Sequence, residues 1–306
     1  MRVRETAGDQ AEETSALVAP GMLENASVRT WLGGVEPVWT LLDQASFSAR
    51  HHPPSPTAGP IRLAADLAQD ELPRSAVARN ALLLLRAAAT APGLRLTATG
   101  NLSRAVVAQM CDQFDWPGFD RAEAFRFHKA VNEPDFLPLF LLRQLGEASG
   151  LLRRGKGFLR TTPAGRRMLD TADQEALQAL LFHVAFWHLD LSPLGRGLLH
   201  GWPQRDAGVV LWCLSIAAGD WEPRERLTRM CTIPVNGVLD HPWDVGSWAM
   251  DARILRPLWW FGLLEHRDEE VEGGRLEKRH LYRKSPLFDR FLSFDVRLEA
   301  AGGVRH

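Results

Sequence analysis

Gly150-Leu151-Leu152 closes an apolar helical stretch and recurs, 112 residues later, as Gly262-Leu263-Leu264 at the end of another. After the first copy come a basic turn, Arg153-Arg154-Gly155-Lys156-Gly157, a returning strand, Phe158-Leu159-Arg160-Thr161, and then Thr162-Pro163, a hydroxyl cap with proline at the first helical position. After the second copy, a strand over 264–271, a turn at Glu272-Gly273-Gly274-Arg275 and a strand over 276–283 lead to Ser285-Pro286. Glycine ends a helix and the short apolar runs that follow suit strands, so each copy dictates a helix, a hairpin and a new helix in that order. One unit used twice accounts for the pair better than coincidence does.

The residues upstream of each copy complete the unit. Ser75 to Thr90 reads as a helix with Ser75 as cap, stopped by Pro92-Gly93, and the alternation over Leu94 to Thr99 reads as a half-buried strand. Gly100-Asn101 turns the chain into a second helix, Leu102 to Cys111, with Asn101 as its cap. A polar, aromatic-rich stretch follows, then a third helix from Phe136 to Ser149. In the second half, Val209 to Ile216, Pro223 to Cys231 and Trp248 to Phe261 take the three helical places. Helices followed by a hairpin is the element order of a winged helix. The fold expected is mainly α (α+β): two tandem winged-helix-like units, residues 61–175 and 200–298, joined by a helix within 176–199. Residues 1–60 are expected to be a mobile tail with a docking helix over 28–47 and a Pro-rich linker at 51–60; 299–306 are a second tail.

Leu96-Thr97-Ala98-Thr99-Gly100-Asn101-Leu102, with Leu139 to Leu152 and Leu159-Arg160-Thr161-Thr162-Pro163-Ala164-Gly165, resembles a segment of uncharacterised bacterial proteins, some of them related to the plasmid open-reading-frame-3 type family. The resemblance covers residues 75–170 and implies no activity. The exit Thr161-Thr162-Pro163-Ala164-Gly165 also looks like the end of the wing in bacterial winged-helix regulators.

Charge narrows the function class. With 36 Lys+Arg against 37 Asp+Glu the whole chain is not a polycation, so a nucleic-acid site must be a local patch. One exists: Arg143, Arg153, Arg154, Lys156, Arg160, Arg166 and Arg167 face a single acid, Glu147, between Leu139 and Leu169. Arginine forks suit phosphate oxygens, and a basic wing tip is placed to reach them. The third helix leaves only Arg143, Gln144, Glu147 and Ser149 for base readout, which requires polar side chains, so most of its surface is expected to be covered. The second wing carries acids on its outgoing strand and bases on its return, an arrangement that cross-strand pairing explains without a ligand.

No cofactor and no metal site is read from the sequence. His183 and His188, five apart, are not expected to share a helical face, and the window to His200 holds Asp190 but no Glu. Motifs for nucleophilic catalysis and phosphate loops are missing, so no enzymatic activity is assigned. Three scattered cysteines form no disulfide framework or zinc pattern and point to a reducing cytoplasm. The most apolar window, Asn80 to Ala91, contains Arg86, so no membrane span is expected. The leading expectation is a DNA-associated bacterial protein whose first wing contacts phosphates. The alternatives are a protein-interaction or scaffold module, self-associating through apolar helix faces, and an enzyme with an unrecognised site between the units.

Overall fold

Two glycines and a proline decide how residues 26–49 are laid out. The computed structural model describes residues 22–54, 59–68, 70–119, 131–170, 176–270 and 278–298. Asn25 accepts from Ser27 N and Val28 N to start α1 (Ala26–Leu32), and Gly33, at φ 58°, ends it. Val38–Leu41 make a short 3-10 turn after Pro37, and Asp43 caps α2 (Gln44–Ala49). The single docking helix expected over 28–47 is therefore three short pieces, because Gly33 and Gly34 both take positive φ and Pro37 offers no amide hydrogen. The pieces are anchored all the same. Trp39 Nε1 donates to Thr232 O at 3.0 Å, Arg229 Nε to Trp31 O at 2.9 Å, and the buried Arg50 to the carbonyls of Ser46 and Asp295. β1 (Ile61–Leu63) then pairs antiparallel with residues 292–294 near the far end of the chain. The rest of the expected tails and linker, residues 1–21, 55–58 and 299–306, lies outside the described residues.

The chain divides into two compact units. Unit 1 is Ala64–Leu189 with Trp260–Gly262, and unit 2 takes 22–63, Asp190–Trp259 and 263–298 of the described residues. In unit 1, Ser75 caps α3 (Ala76–Ala89), whose Val77, Leu84 and Leu85 are buried. β2 (Leu94–Arg95) leads through Gly100 to α4 (Arg104–Gln113), two residues later than the expected start at Leu102. The reason is local: Leu102 bridges back to Leu96 and gives its amide to Glu133 Oε2 at 2.6 Å, so it is held extended and Ser103 takes the cap position. α5 (Leu137–Ala148) ends before Gly150 at φ 71°.

β3 (Leu152–Gly155) and β4 (Phe158–Thr161) are joined by Lys156 and Gly157, both at positive φ, the two-residue turn whose twist matches a hairpin. Thr162 Oγ1 accepts from Gly165 N at 3.1 Å and starts α6 (Pro163–Arg167), as its sequence predicts. Only glycine fits at 165, where a Cβ would lie 2.3 Å from Leu151 O. α7 (Leu177–His183) continues into one wide turn, Val184–His188, closed by Leu189 N to Val184 O at 2.9 Å.

Unit 2 follows a parallel course. α8 (Ala207–Ala217) is buried from Ala207 to Leu214 without a polar stripe. β5 (Glu222–Pro223), α9 (Arg224–Cys231), α10 (Asn236–Leu239) and α11 (Val245–Met250) follow. A second wide turn, Asp251–Leu255, runs into α12 (Arg256–Trp260). β6 (Leu264–Glu270) and β7 (Lys278–Lys284) form a hairpin whose tip, 271–277, lies outside the described residues. α13 (Pro286–Phe291) and β8 (Leu292–Phe294), the partner of β1, complete the unit.

The wide turn aims Arg253 into the loop at 192–202. There the buried guanidinium donates to the carbonyls of Leu198, Leu199, Trp202 and Ser192, and burial pushes it down to about 10. The same turn places Asp251 Oδ1 2.6 Å from the hydroxyl of Tyr282, and Asp251 Oδ2 3.0 Å from Arg256 Nε.

The two halves agree in detail. Their three-stranded sheets have the orders β2–β4–β3 and β5–β7–β6, all antiparallel. Thr162 N donates to Leu151 O at 2.9 Å, and Ser285 N to Leu263 O at 3.0 Å. The chain is thus a mixed helical and sheet protein whose sheets are small and antiparallel. Among the described residues no helix is long and apolar enough to cross a membrane.

Candidate functional site

Side chains alternate across a strand, so one buried residue fixes the direction of its neighbours. Leu94, Leu152, Leu159 and Thr161 are buried, which leaves Arg95, Arg153, Phe158 and Arg160 on the outward face of the β2–β4–β3 sheet. The register sets Arg95 opposite Phe158 and Arg153 opposite Arg160. Arg160 lies over the Phe158 ring at 5.2 Å, with Nε donating to Pro92 O (2.8 Å) and Nη1 to Gly155 O (2.7 Å). Among the described residues its Nη2 makes no hydrogen bond. No carboxylate among the described residues belongs to this face, and exposed Lys156 stands at the hairpin tip.

The expected basic residues divide into three groups. Arg153, Lys156, Arg166 and Arg167 are exposed and, among the described residues, form no ion pair. Arg154 is exposed but held: its guanidinium meets both oxygens of Glu147, and that hydrogen bond raises its already high pKa. Arg143 does not belong to the surface at all. Its side chain is buried, ion-paired with the equally buried Glu133, and its Nη1 reaches Glu147 Oε2 at 3.1 Å. A buried guanidinium needs a buried partner, and Glu133 supplies it. Arg95 was not among the expected residues. The alternation of Leu94, Arg95 and Leu96 was the available signal, since it sets Arg95 opposite to buried Leu94.

α5 buries Pro138, Leu139, Leu141, Leu142, Arg143, Leu145 and Gly146, and of its polar residues only Gln144 and Glu147 reach partial exposure. It is a packing helix, as its apolar sequence implies. In unit 2 the corresponding sheet face carries Trp221 between Arg267 (4.6 Å) and Arg283 (4.7 Å). Both arginines are matched there: Arg283 by Glu265 directly across the hairpin, at 2.6 Å, and Arg267 by Glu269 at 2.7 Å. Among the described residues, the outward arginines of the unit 1 sheet have no such carboxylate partners, whereas Arg267 and Arg283 do.

His183 and His188 do meet, contrary to the expectation from their spacing. The wide turn at Val184–His188 makes five residues one turn, and the two Nε2 atoms lie 2.9 Å apart. Burial, then the neighbouring His188, holds the His183 imidazole below its usual pKa.

Residues 73–175 match the family described as Y4jL N-terminal domain. Over 109 residues the chain is 35% identical to the uncharacterized protein y4jL of Sinorhizobium fredii (strain NBRC 101917 / NGR234), a match covering 36% of this chain and 49% of that protein. The chain thus spans about half the length of the curated relative it matches. This relative is itself an uncharacterised bacterial protein, and the family model covers nearly the same residues as the resemblance to uncharacterised bacterial proteins noted above. No solved structure matches.

Proposed function

We propose that the protein is a tandem winged-helix protein that associates with nucleic acid, and that unit 1 grips phosphate oxygens through its sheet face and hairpin. The observation that carries this reading is the set Arg95, Arg153 and Arg160 on one outward face without a carboxylate, with Lys156 at its tip. Arg166 and Arg167 extend it onto the following helix. Planar guanidinium forks match phosphate oxygens bidentately, and such contacts position a protein on a duplex without reading its sequence. The shared element order and the equivalent sheet orders of the two units support the winged-helix assignment. Because α5 is given over to packing, the expected binding is indifferent to sequence. The three cysteines are free and buried, which suits a reducing cytoplasm. The likeness to the plasmid open-reading-frame-3 type family is kept for residues 75–170 and adds no activity. The test is fluorescence anisotropy with random-sequence duplex DNA at two salt concentrations. Binding that weakens steeply with salt is the expected result; its absence at low salt ends the reading.

A second reading, protein docking, rests on Trp243 and Trp248 of unit 2, which are 76% and 56% exposed. Exposed tryptophans so close in sequence are rare on a surface without a partner. Light scattering on the same sample checks self-association, and a strictly monomeric mass leaves only a foreign partner.

A further inference from the structure

The β6–β7 hairpin of unit 2 brings together three side chains that no motif connects. His266 and Asp268 are two apart on β6 and so share a face, and the register places His280 of β7 directly opposite Asp268. Asp268 Oδ1 lies 2.8 Å from His280 Nδ1 and 3.2 Å from His266 Nε2, and the two nitrogens are 3.3 Å apart. Among the described residues this is the one place where three groups able to ligate a metal converge.

The geometry points to a binding site for one divalent transition-metal ion of the zinc class, ligated by His266 Nε2, Asp268 Oδ1 and His280 Nδ1. Zinc takes imidazole nitrogen and carboxylate oxygen at about 2.0–2.2 Å, so neighbouring donors in a tetrahedral site stand about 3.3 Å apart. Two sides of the observed triangle, 3.2 and 3.3 Å, have that length, and the third, 2.8 Å, opens to it with a small turn of the His280 ring. Two imidazoles and one carboxylate favour zinc, iron, nickel or copper over magnesium and calcium, which demand more oxygens.

The supports are in place around the triangle. The His266 ring packs 4.6 Å from Trp259 and 4.8 Å from Tyr282, which fixes its orientation. Lys278 Nζ approaches the other carboxylate oxygen, Oδ2, at 3.5 Å and leaves Oδ1 to the ion. The side chains of His280 and Asp268 are 32% and 34% exposed, so the ion keeps at least one position open to water. A rigid sheet face with preset donors is what an affinity above that of scattered surface histidines requires.

The same distances suit a metal-free arrangement in which both imidazoles donate to one carboxylate oxygen, and the experiment separates the two. The full-length protein is stripped with chelator and titrated with ZnCl2 in a calorimeter, and bound metal is counted after dialysis. The wild type is expected to bind one Zn2+ per chain, undisturbed by excess Mg2+ or Ca2+. His266→Ala, Asp268→Asn and His280→Ala should each weaken binding tenfold or more. His188→Gln should not, and the thermal transition of each metal-free variant reports whether it still folds. No stoichiometric Zn2+ on the wild type overturns the site, as does binding that survives His280→Ala in a folded protein or is lost in His188→Gln.

Discussion

Glu147 of α5 holds the guanidinium of Arg154 through both of its carboxylate oxygens, at 2.5 and 2.7 Å, and so ties the hairpin of unit 1 to its third helix. One acid thereby withholds one arginine from the basic surface. Glu147→Gln should release it, tightening random-duplex binding several-fold at low salt and steepening the salt dependence by about one phosphate contact. Because Glu147 also takes a hydrogen bond from Nη1 of the buried Arg143, the cost in stability exceeds that of an exposed pair and is about 1–3 kcal/mol. Anisotropy and a urea melt on the same variant check both halves, and unchanged affinity would detach Arg154 from the interface.

Arg153 and Arg167 are exposed and, among the described residues, without an ion-pair partner. Arg153→Glu with Arg167→Glu should lower affinity by more than tenfold and reduce the log-log salt slope by about 2, with no loss of folding. An identical slope in the double variant would be incompatible with phosphate contact at these residues.

Arg143 and Glu133 should behave in the opposite way. Glu133→Gln leaves a buried guanidinium short of charge and also weakens the acceptor for Leu102 N, at a cost of about 3–5 kcal/mol. Chemical denaturation measures it. A loss under 1 kcal/mol would mean that Arg143 reaches water in the folded state.

Arg253→Met strands the carbonyls that the guanidinium satisfies between 192 and 202. Leaving buried acceptors unpaired costs about 1–3 kcal/mol each, so a loss of about 3 kcal/mol or more is expected. Hydrogen exchange should show that loop opening first. A variant as stable as the wild type would count against the cage.

His51 and His183 are both held below the usual histidine pKa, chiefly by burial. The unfolded chain therefore binds more protons between the ordinary value, about 6.5, and the lowered folded ones. Their contribution to stability is complete above about pH 6.5 and is lost as pH falls through the folded values. Denaturant midpoints measured across that range should drop on acidification, and His183→Gln should flatten the drop.

Local chemistry was the legible part of the fold. The strand Phe158–Thr161, the cap at Thr162 and the proline after it follow from neighbours in sequence, and they stand where those neighbours put them. Arg143 was misplaced because burial is set by Glu133, whose loop the helical pattern of α5 does not reveal. The meeting of His183 with His188 was excluded by assuming 3.6 residues per turn, and a single wide turn defeats that assumption. The His266, Asp268 and His280 cluster depends on strand register across a turn, which spacing alone does not encode.

The pairing of β1 with β8 sets a timetable for synthesis. Residues 61–63 leave the ribosome well before their partners at 292–294, by about 10–50 s at ordinary elongation rates. Through that interval the segment that ends in β1 has its strand edge open, while nearly all of unit 1 emerges and can fold behind it. Unit 2 is thus the late-closing part of the molecule, and a nascent chain stalled before residue 292 carries an unpaired edge that a chaperone, or a second chain in the same state, could cover.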